Sequence, residues 1–175
     1  MDYDYPWVDL IARFKFHGDV GLAQALAGLM RNAPWAQRVL DSARWVLPIP
    51  LSEARLRERG YNQAALLAQS LSPHRCRTDL LRKTLDTPLQ HTLNRQNRLR
   101  VMRQALMVPP DLRSHLVGQT VLVVDDVMTT GASLRAAAHA LKKAGAARVD
   151  AFVLARTPEP QPELRPPPAS PDRSG

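Results

Sequence analysis

Apolar residues recur along this chain with two different periods. Trp7, Leu10, Ile11 and Phe14 follow helical spacing, and Gly18 then breaks the chain. A second helix is predicted from Asp19 to Met30, with Asp19 near its N-terminus and Leu22, Leu26 and Leu29 on one face. Arg44–Leu51, "RWVLPIPL", reads as a short buried strand that stops at its prolines, which cannot donate to a sheet ladder. "NQAALLAQSL" reads as a helix with Leu66, Leu67 and Leu71 on its apolar side, and "DLLRK" as a short strand. A polar, basic stretch then runs to about Arg103. The clearest unit comes last. "TVLVVDD" is a continuous apolar run of the kind that forms a strand buried on both faces. "ASLRAAAHALKKAG" is a strong helix with Lys142 and Lys143 in its last turn and Gly145 as its cap, and "RVDAFVLA" is another strand. Strand, helix, strand in this order is a βαβ crossover, hence a parallel α/β sheet.

Length and composition sharpen this picture. The chain has 175 residues, 45% of them hydrophobic, which suits one domain with one core. Residues 157–175, "TPEPQPELRPPPASPDRSG", are proline-rich without apolar periodicity and read as a disordered tail, leaving 1–156 as the folded domain. No apolar run is long enough for a membrane span, and the N-terminus lacks the apolar centre of a secretory signal. The single Cys76 excludes an internal disulfide framework and a cysteine-cluster zinc site, so a cytoplasmic protein is expected. The formal charge is +8, and lysine occurs only at 15, 83, 142 and 143 among 24 basic residues. Two readings of that bias stand side by side: a genome rich in Arg, Ala, Leu and Pro codons, or an anionic partner such as phosphate or nucleic acid. From Thr87 to Pro110 there is no acid, yet Arg95, Arg98, Arg100 and Arg103 fall there.

The chemistry concentrates in "VLVVDDVMTTGAS", Val121–Ser133. Ligands of open α/β sheets bind at the carboxyl ends of the strands, where Asp125 and Asp126 are expected. Thr129, Thr130, Gly131, Ala132 and Ser133 form the turn into the helix. Gly131 permits an unusual backbone angle, and the free N–H groups of a helix N-terminus make an anion site. The acids would repel a phosphate on that turn, so they must face neutral hydroxyls or a cation. A sugar phosphate meets both demands, with its phosphate on the turn and its hydroxyls on the acids. A strand end and a helix cap arising separately explain either piece but not both together. In a phosphoaccepting receiver domain this strand would open the fold, whereas here it lies near the end, and no Walker loop is present.

This segment resembles the phosphoribosyl-pyrophosphate (PRPP) motif of type I phosphoribosyltransferases. That resemblance implies that Asp125 and Asp126 bind ribose hydroxyls and act at the catalytic centre, and that Thr129, Thr130, Gly131, Ala132 and Ser133 bind the 5′-phosphate. "LPIPLSEARLRERGYNQAALLA" and "RKTLDTPLQHTLNRQNRLRVMRQAL" are similar to two further blocks of one branch, the ComF (competence-protein-F-like) family of amidophosphoribosyltransferase relatives. "LIARFKFHGDVGLAQALAGLM" resembles the opening helix of that family. The expected fold is the type I phosphoribosyltransferase fold, a central mainly parallel sheet flanked by helices with a small N-terminal hood. Pro50, Leu51, Arg57 and Arg59 are the expected pyrophosphate contacts, since arginine offers a planar fork for phosphate oxygens. Arg82 and Arg98 are placed on a loop that closes over PRPP.

The resemblance carries two functional readings. In one, the chain is an enzyme that binds PRPP with Mg²⁺ and transfers the phosphoribosyl group to an unknown acceptor. In the other, it is a non-catalytic PRPP- or nucleotide-binding component of DNA uptake in natural competence, working with a DNA helicase and touching single-stranded DNA. The sequence departs from the family in lacking the cysteine-rich zinc-binding opening, which Cys76 cannot replace; a short form or a late start codon would produce that. Val101 stands where the family has asparagine, and Leu106 where it has phenylalanine. Thr129 occupies the position at which purine-salvage enzymes carry an acid. His17, His74, His91, His115 and His139 show no metal spacing, and the three tryptophans are expected as core or surface anchors.

Overall fold

The computed structural model describes residues 7–16, 19–84 and 105–157. Strands β1 (Trp45–Pro48), β4 (Thr120–Met128) and β5 (Arg148–Arg156) form a parallel sheet in the order β1-β4-β5. A single parallel bridge at Cys76 lies on the far side of β1. The crossover from β4 to β5 is helix α6 (Ala132–Lys143), so the βαβ unit read from the sequence is present. Its Ala144 and Gly145 close the last turn, Gly145 taking φ 100° where only glycine is at ease.

Strand alternation divides the core into two layers. Leu122 and Val124 face helices α1 (Trp7–Phe16), α2 (Leu22–Arg31), α3 (Ala36–Ser42) and α5 (Gln63–Leu71). Val121 and Val123 face α6 and the short antiparallel pair β2 (Arg82–Lys83) and β3 (Leu106–Met107). All four β4 side chains are essentially inaccessible, which is why the run is apolar at every position rather than at alternate ones. Ile11 and Phe14 of α1 are likewise fully buried, and each such side chain contributes about 1.5–3 kcal/mol.

The structure extends or adds to the predicted elements at three points. β4 runs two residues past the acid pair, to Met128, because its ladder with β5 continues through Val127 and Met128. Helix α3 was not read from the pattern. The segment after Pro50 forms helix α4 (Glu53–Arg59), an element the pattern did not predict, capped by Ser52, whose side chain accepts from the Arg55 N–H. At the last described residue, the Thr157 N–H donates to the Met128 carbonyl at 3.0 Å. The remainder of the expected tail, and residues 85–104 between β2 and β3, lie outside the described residues. Several arginines hold the framework together: Arg31 donates to the Ser70 and Leu71 carbonyls at the end of α5, and Arg75 to the Leu40 and Ala43 carbonyls at the end of α3. These positions suit a cation facing the negative ends of helix dipoles.

Candidate ligand-binding site

The carboxyl ends of β1 and β4 open into a cleft of about 430 Å³. Its floor carries Asp125 and Asp126, one wall is the turn into α6, and the other is the segment after β1 with α4 and the start of α5. Lys15, at the end of α1, and Lys83, on β2, close the rim. Four cationic side chains (Lys15, Arg55, Arg59, Lys83) therefore surround two acids.

The two acids differ in environment. Asp126, two positions beyond Val124, continues the face that α1 covers, and its Oδ2 lies 3.1 Å from the Lys15 ammonium. Its Oδ1 accepts the Val127 N–H at 2.6 Å. Asp125 has no ion pair among the described residues; its Oδ1 accepts the Asp126 N–H at 2.9 Å. Burial, and secondarily the charge of Asp126, push the Asp125 carboxyl up to about 7.

The α6 turn is built to leave donors open. Gly131 sits at φ 68°, and a Cβ there would come within 3.1 Å of the Arg135 guanidinium. As the N-cap it has no side chain, so it leaves the first N–H groups of α6 without a side-chain cap among the described residues. Ala132 and Ser133 line the cleft with those groups, and Thr129 and Ser133 bring hydroxyls. Thr130 and Gly131 shape the turn without lining the cleft.

The opposite wall corrects one cation assignment. Arg55 and Arg59 are one helical turn apart on α4 and both line the cleft, with Pro50, Leu51 and Ser52 before them. Arg57 is rotated by about 200° from each. It is exposed and 3.9 Å from Glu53, away from the cleft. The same parity separates Arg82 from Lys83: neighbouring strand residues point opposite ways, and Lys83 is the one that lines the cleft. Arg98 lies outside the described residues.

The segment "RGYNQ" anchors the wall. Gly60 ends α4 at φ 76°. The Tyr61 hydroxyl donates to the Phe14 carbonyl. Asn62 caps α5 by accepting the Ala65 N–H at 3.2 Å, and its amide donates to the Ile49 carbonyl at 3.0 Å. Gln63, 1% exposed, donates to the Lys15 carbonyl at 3.2 Å and accepts from Arg59 at 3.4 Å. One short segment thus fixes the end of α1, the segment after β1 and a cation on each side of the acids. Sequence reasoning missed Lys15 and Lys83 as site residues. The signal was there, because outside the last turn of α6 these are the only lysines in the chain.

A family model described as phosphoribosyl transferase domain matches residues 27–170. The DNA utilization protein YhgH of Escherichia coli is 34% identical over 162 residues, covering 89% of this chain and 70% of that protein. The competence protein ComFC of Bacillus subtilis is 32% identical, covering 89% of this chain and 62% of that protein. Competence protein F of Haemophilus influenzae is 31% identical, covering 88% and 69%. Among solved structures, the allosteric regulatory enzyme of purine biosynthesis shares the fold, with a TM-score of 0.51 at 19% identity over 77% of this chain and 26% of that one. The parallel sheet, the acid pair at its centre and these relatives together place the chain in the phosphoribosyl transferase domain family, as a member of its ComF branch.

Proposed function

We propose that the cleft binds PRPP together with Mg²⁺ and that the chain transfers its phosphoribosyl group to a nucleophilic acceptor. One observation carries this reading: the acid pair, the open N-terminus of α6 and the Arg55/Arg59 face converge on a single cleft. A phosphate suits the N–H and hydroxyl donors of Thr129, Ala132 and Ser133, and ribose hydroxyls suit the carboxylates. A pyrophosphate group suits the Arg55 and Arg59 guanidinium groups and the segment Pro50–Ser52. In the transfer, an acceptor lone pair forms a bond to the anomeric carbon. The bond from that carbon to the pyrophosphate oxygen breaks, and pyrophosphate leaves with the electron pair. The cations stabilise charge gathering on the departing group, and the two acids hold the ribose while its anomeric carbon becomes electron-poor.

The described residues hold no group of three or more metal-ligating side chains, and Asp126 is already engaged by Lys15. In this reading a Mg²⁺ ion would arrive with PRPP, beside Asp125 and Asp126. It would supply charge neutralisation of the pyrophosphate. No helix of the described residues is long and apolar enough to cross a membrane, and a cytoplasmic setting is part of this reading. The test is isotope exchange between pyrophosphate and PRPP, with and without candidate acceptors. Exchange that Asp126→Asn abolishes supports transfer, and its absence in folded protein across acceptor classes removes it.

A second reading draws on the printed names of the relatives, DNA utilization protein and competence protein. In it the cleft senses PRPP or a nucleotide without turnover, while the chain works in DNA uptake beside a helicase and contacts single-stranded DNA. Its electrostatic support is the +8 charge, of which Arg31 and Arg75 are committed to helix ends. Phosphate contacts make affinity fall steeply with salt, so a salt titration of single-strand binding decides it.

A further inference from the structure

A hydroxyl group is both a donor and an acceptor. A lone carboxylate reads only its donor half, whereas a carboxylate with an ammonium beside it reads both. Lys15 and Asp126 form such a pair in the cleft, 3.1 Å apart, with side chains only 15% and 12% exposed. An ammonium carries three N–H donors, so it can hold the carboxylate and still donate to a ligand oxygen.

The backbone that carries this ammonium is held in place. The Lys15 carbonyl is held by the buried Gln63 amide and the neighbouring Phe14 carbonyl by the Tyr61 hydroxyl. Ile11 and Phe14 lock the helix that carries it. Gln63 spends a side chain with 1% exposure on this task, and its other end takes Arg59 from the facing wall. A buried amide is tolerated only where both of its ends are satisfied, so the geometry around Lys15 is specified rather than incidental.

We propose that the Lys15–Asp126 pair is the hydroxyl reader of the cleft, selecting a ribose 5-phosphate group over its deoxy counterparts, and that Gln63 is its positioning residue. This rests on the reading of the cleft as a phosphoribosyl site. A deoxy sugar would leave the ammonium and the carboxylate facing each other with no hydroxyl between them and the ligand, and a desolvated polar group without its ligand partner is costly. A pair that served only to fasten α1 would change stability when cut, but not the ratio of two affinities.

The experiment is calorimetric titration of ribose 5-phosphate, 2-deoxyribose 5-phosphate and 3-deoxyribose 5-phosphate into the full chain. The variants are Lys15→Met, Lys15→Arg and Gln63→Leu, each checked for folding by its thermal transition. The wild type should prefer ribose 5-phosphate over at least one deoxy sugar by about tenfold or more. Lys15→Met should bring that ratio close to one, and because the ratio compares two ligands of equal charge it is not moved by the general loss of one cation from the cleft. Lys15→Arg should restore part of it, and Gln63→Leu should lower it by releasing the Lys15 carbonyl. If Lys15→Met fails to fold, Lys15→Gln carries the same comparison. A wild type with no discrimination, or a lysine-free variant with the full ratio, overturns the proposal. If the wild type binds no sugar phosphate at all, the phosphoribosyl reading itself fails and takes this one with it. Binding that is lost in Asp125→Asn/Asp126→Asn, with a ratio untouched by Lys15, sinks the hydroxyl reader alone.

Discussion

The Lys15 ammonium stands 3.1 Å from the Asp126 carboxylate, joining the last turn of the N-terminal helix to the middle strand of the sheet. The pairing makes the two adjacent acids unequal. Asp126 has a cation beside it, and Asp125 has burial and a neighbouring negative charge instead. Their inequality answers why two carboxylates can share one strand end: one is compensated, and the other is pushed toward neutrality near pH 7.

The raised Asp125 carboxyl has a consequence for stability. Its folded value, about 7, lies above its value of 3.8 in the absence of the fold, so the folded state binds more protons between them. Stability should therefore fall as pH rises from about 4 to about 7, and level off above that. Asp125→Asn removes this slope. The variant should be more stable than the wild type at pH 8 by about 2–4 kcal/mol, with little difference at pH 4. Urea unfolding at both pH values measures it, and a variant less stable at pH 8 would contradict the burial argument.

The same proton should appear in ligand binding. A carboxylate accepts a hydroxyl hydrogen more strongly when ionised. PRPP affinity should then rise between pH 6 and pH 8, with proton release to the buffer on binding. Calorimetry in buffers of different ionisation enthalpy detects that release. The Asp125→Asn variant separates it from protons lost by the ligand.

Helical parity gives a sharp comparison on α4. Arg55→Ala and Arg59→Ala should each weaken pyrophosphate binding about tenfold, the scale of one charge-assisted contact. Arg57→Ala, pointing away beside Glu53, should change it less than about twofold. Equal losses at all three positions would mean that net charge, not geometry, governs the wall.

The wall's anchor can be tested apart from the ligand. Asn62→Ala removes the cap of α5 and the bond to the Ile49 carbonyl, and should cost about 1–3 kcal/mol. It should also weaken PRPP binding, because the segment after β1 loses its tether. A variant with normal stability and normal binding would leave the "RGYNQ" segment without the role assigned to it.

Much of this was legible in the chain. The β4–turn–α6–β5 unit announces itself because a doubly buried strand is apolar throughout and an alanine-rich helix is strongly periodic. Both acids, the turn and the type I phosphoribosyltransferase motif followed from that one unit, while the ComF branch rested on three further segments. The rest hides for physical reasons. Helix α4 buries none of its residues, so it has no apolar stripe to read, and without its phase Arg57 cannot be told from Arg55. The strands carrying Lys83 and Leu106 have two residues each, too few for a period. Lys15 meets Asp126, and Gln63 meets Lys15, across long sequence separations that no local pattern encodes.

The most direct test of the central claim is calorimetric titration of PRPP with Mg²⁺ into the wild type and into Asp125→Asn/Asp126→Asn. Micromolar binding by the wild type, lost in a variant that keeps its fold, is the expected result. A wild type that is folded and binds nothing, or a double variant that binds as well as the wild type, would contradict it.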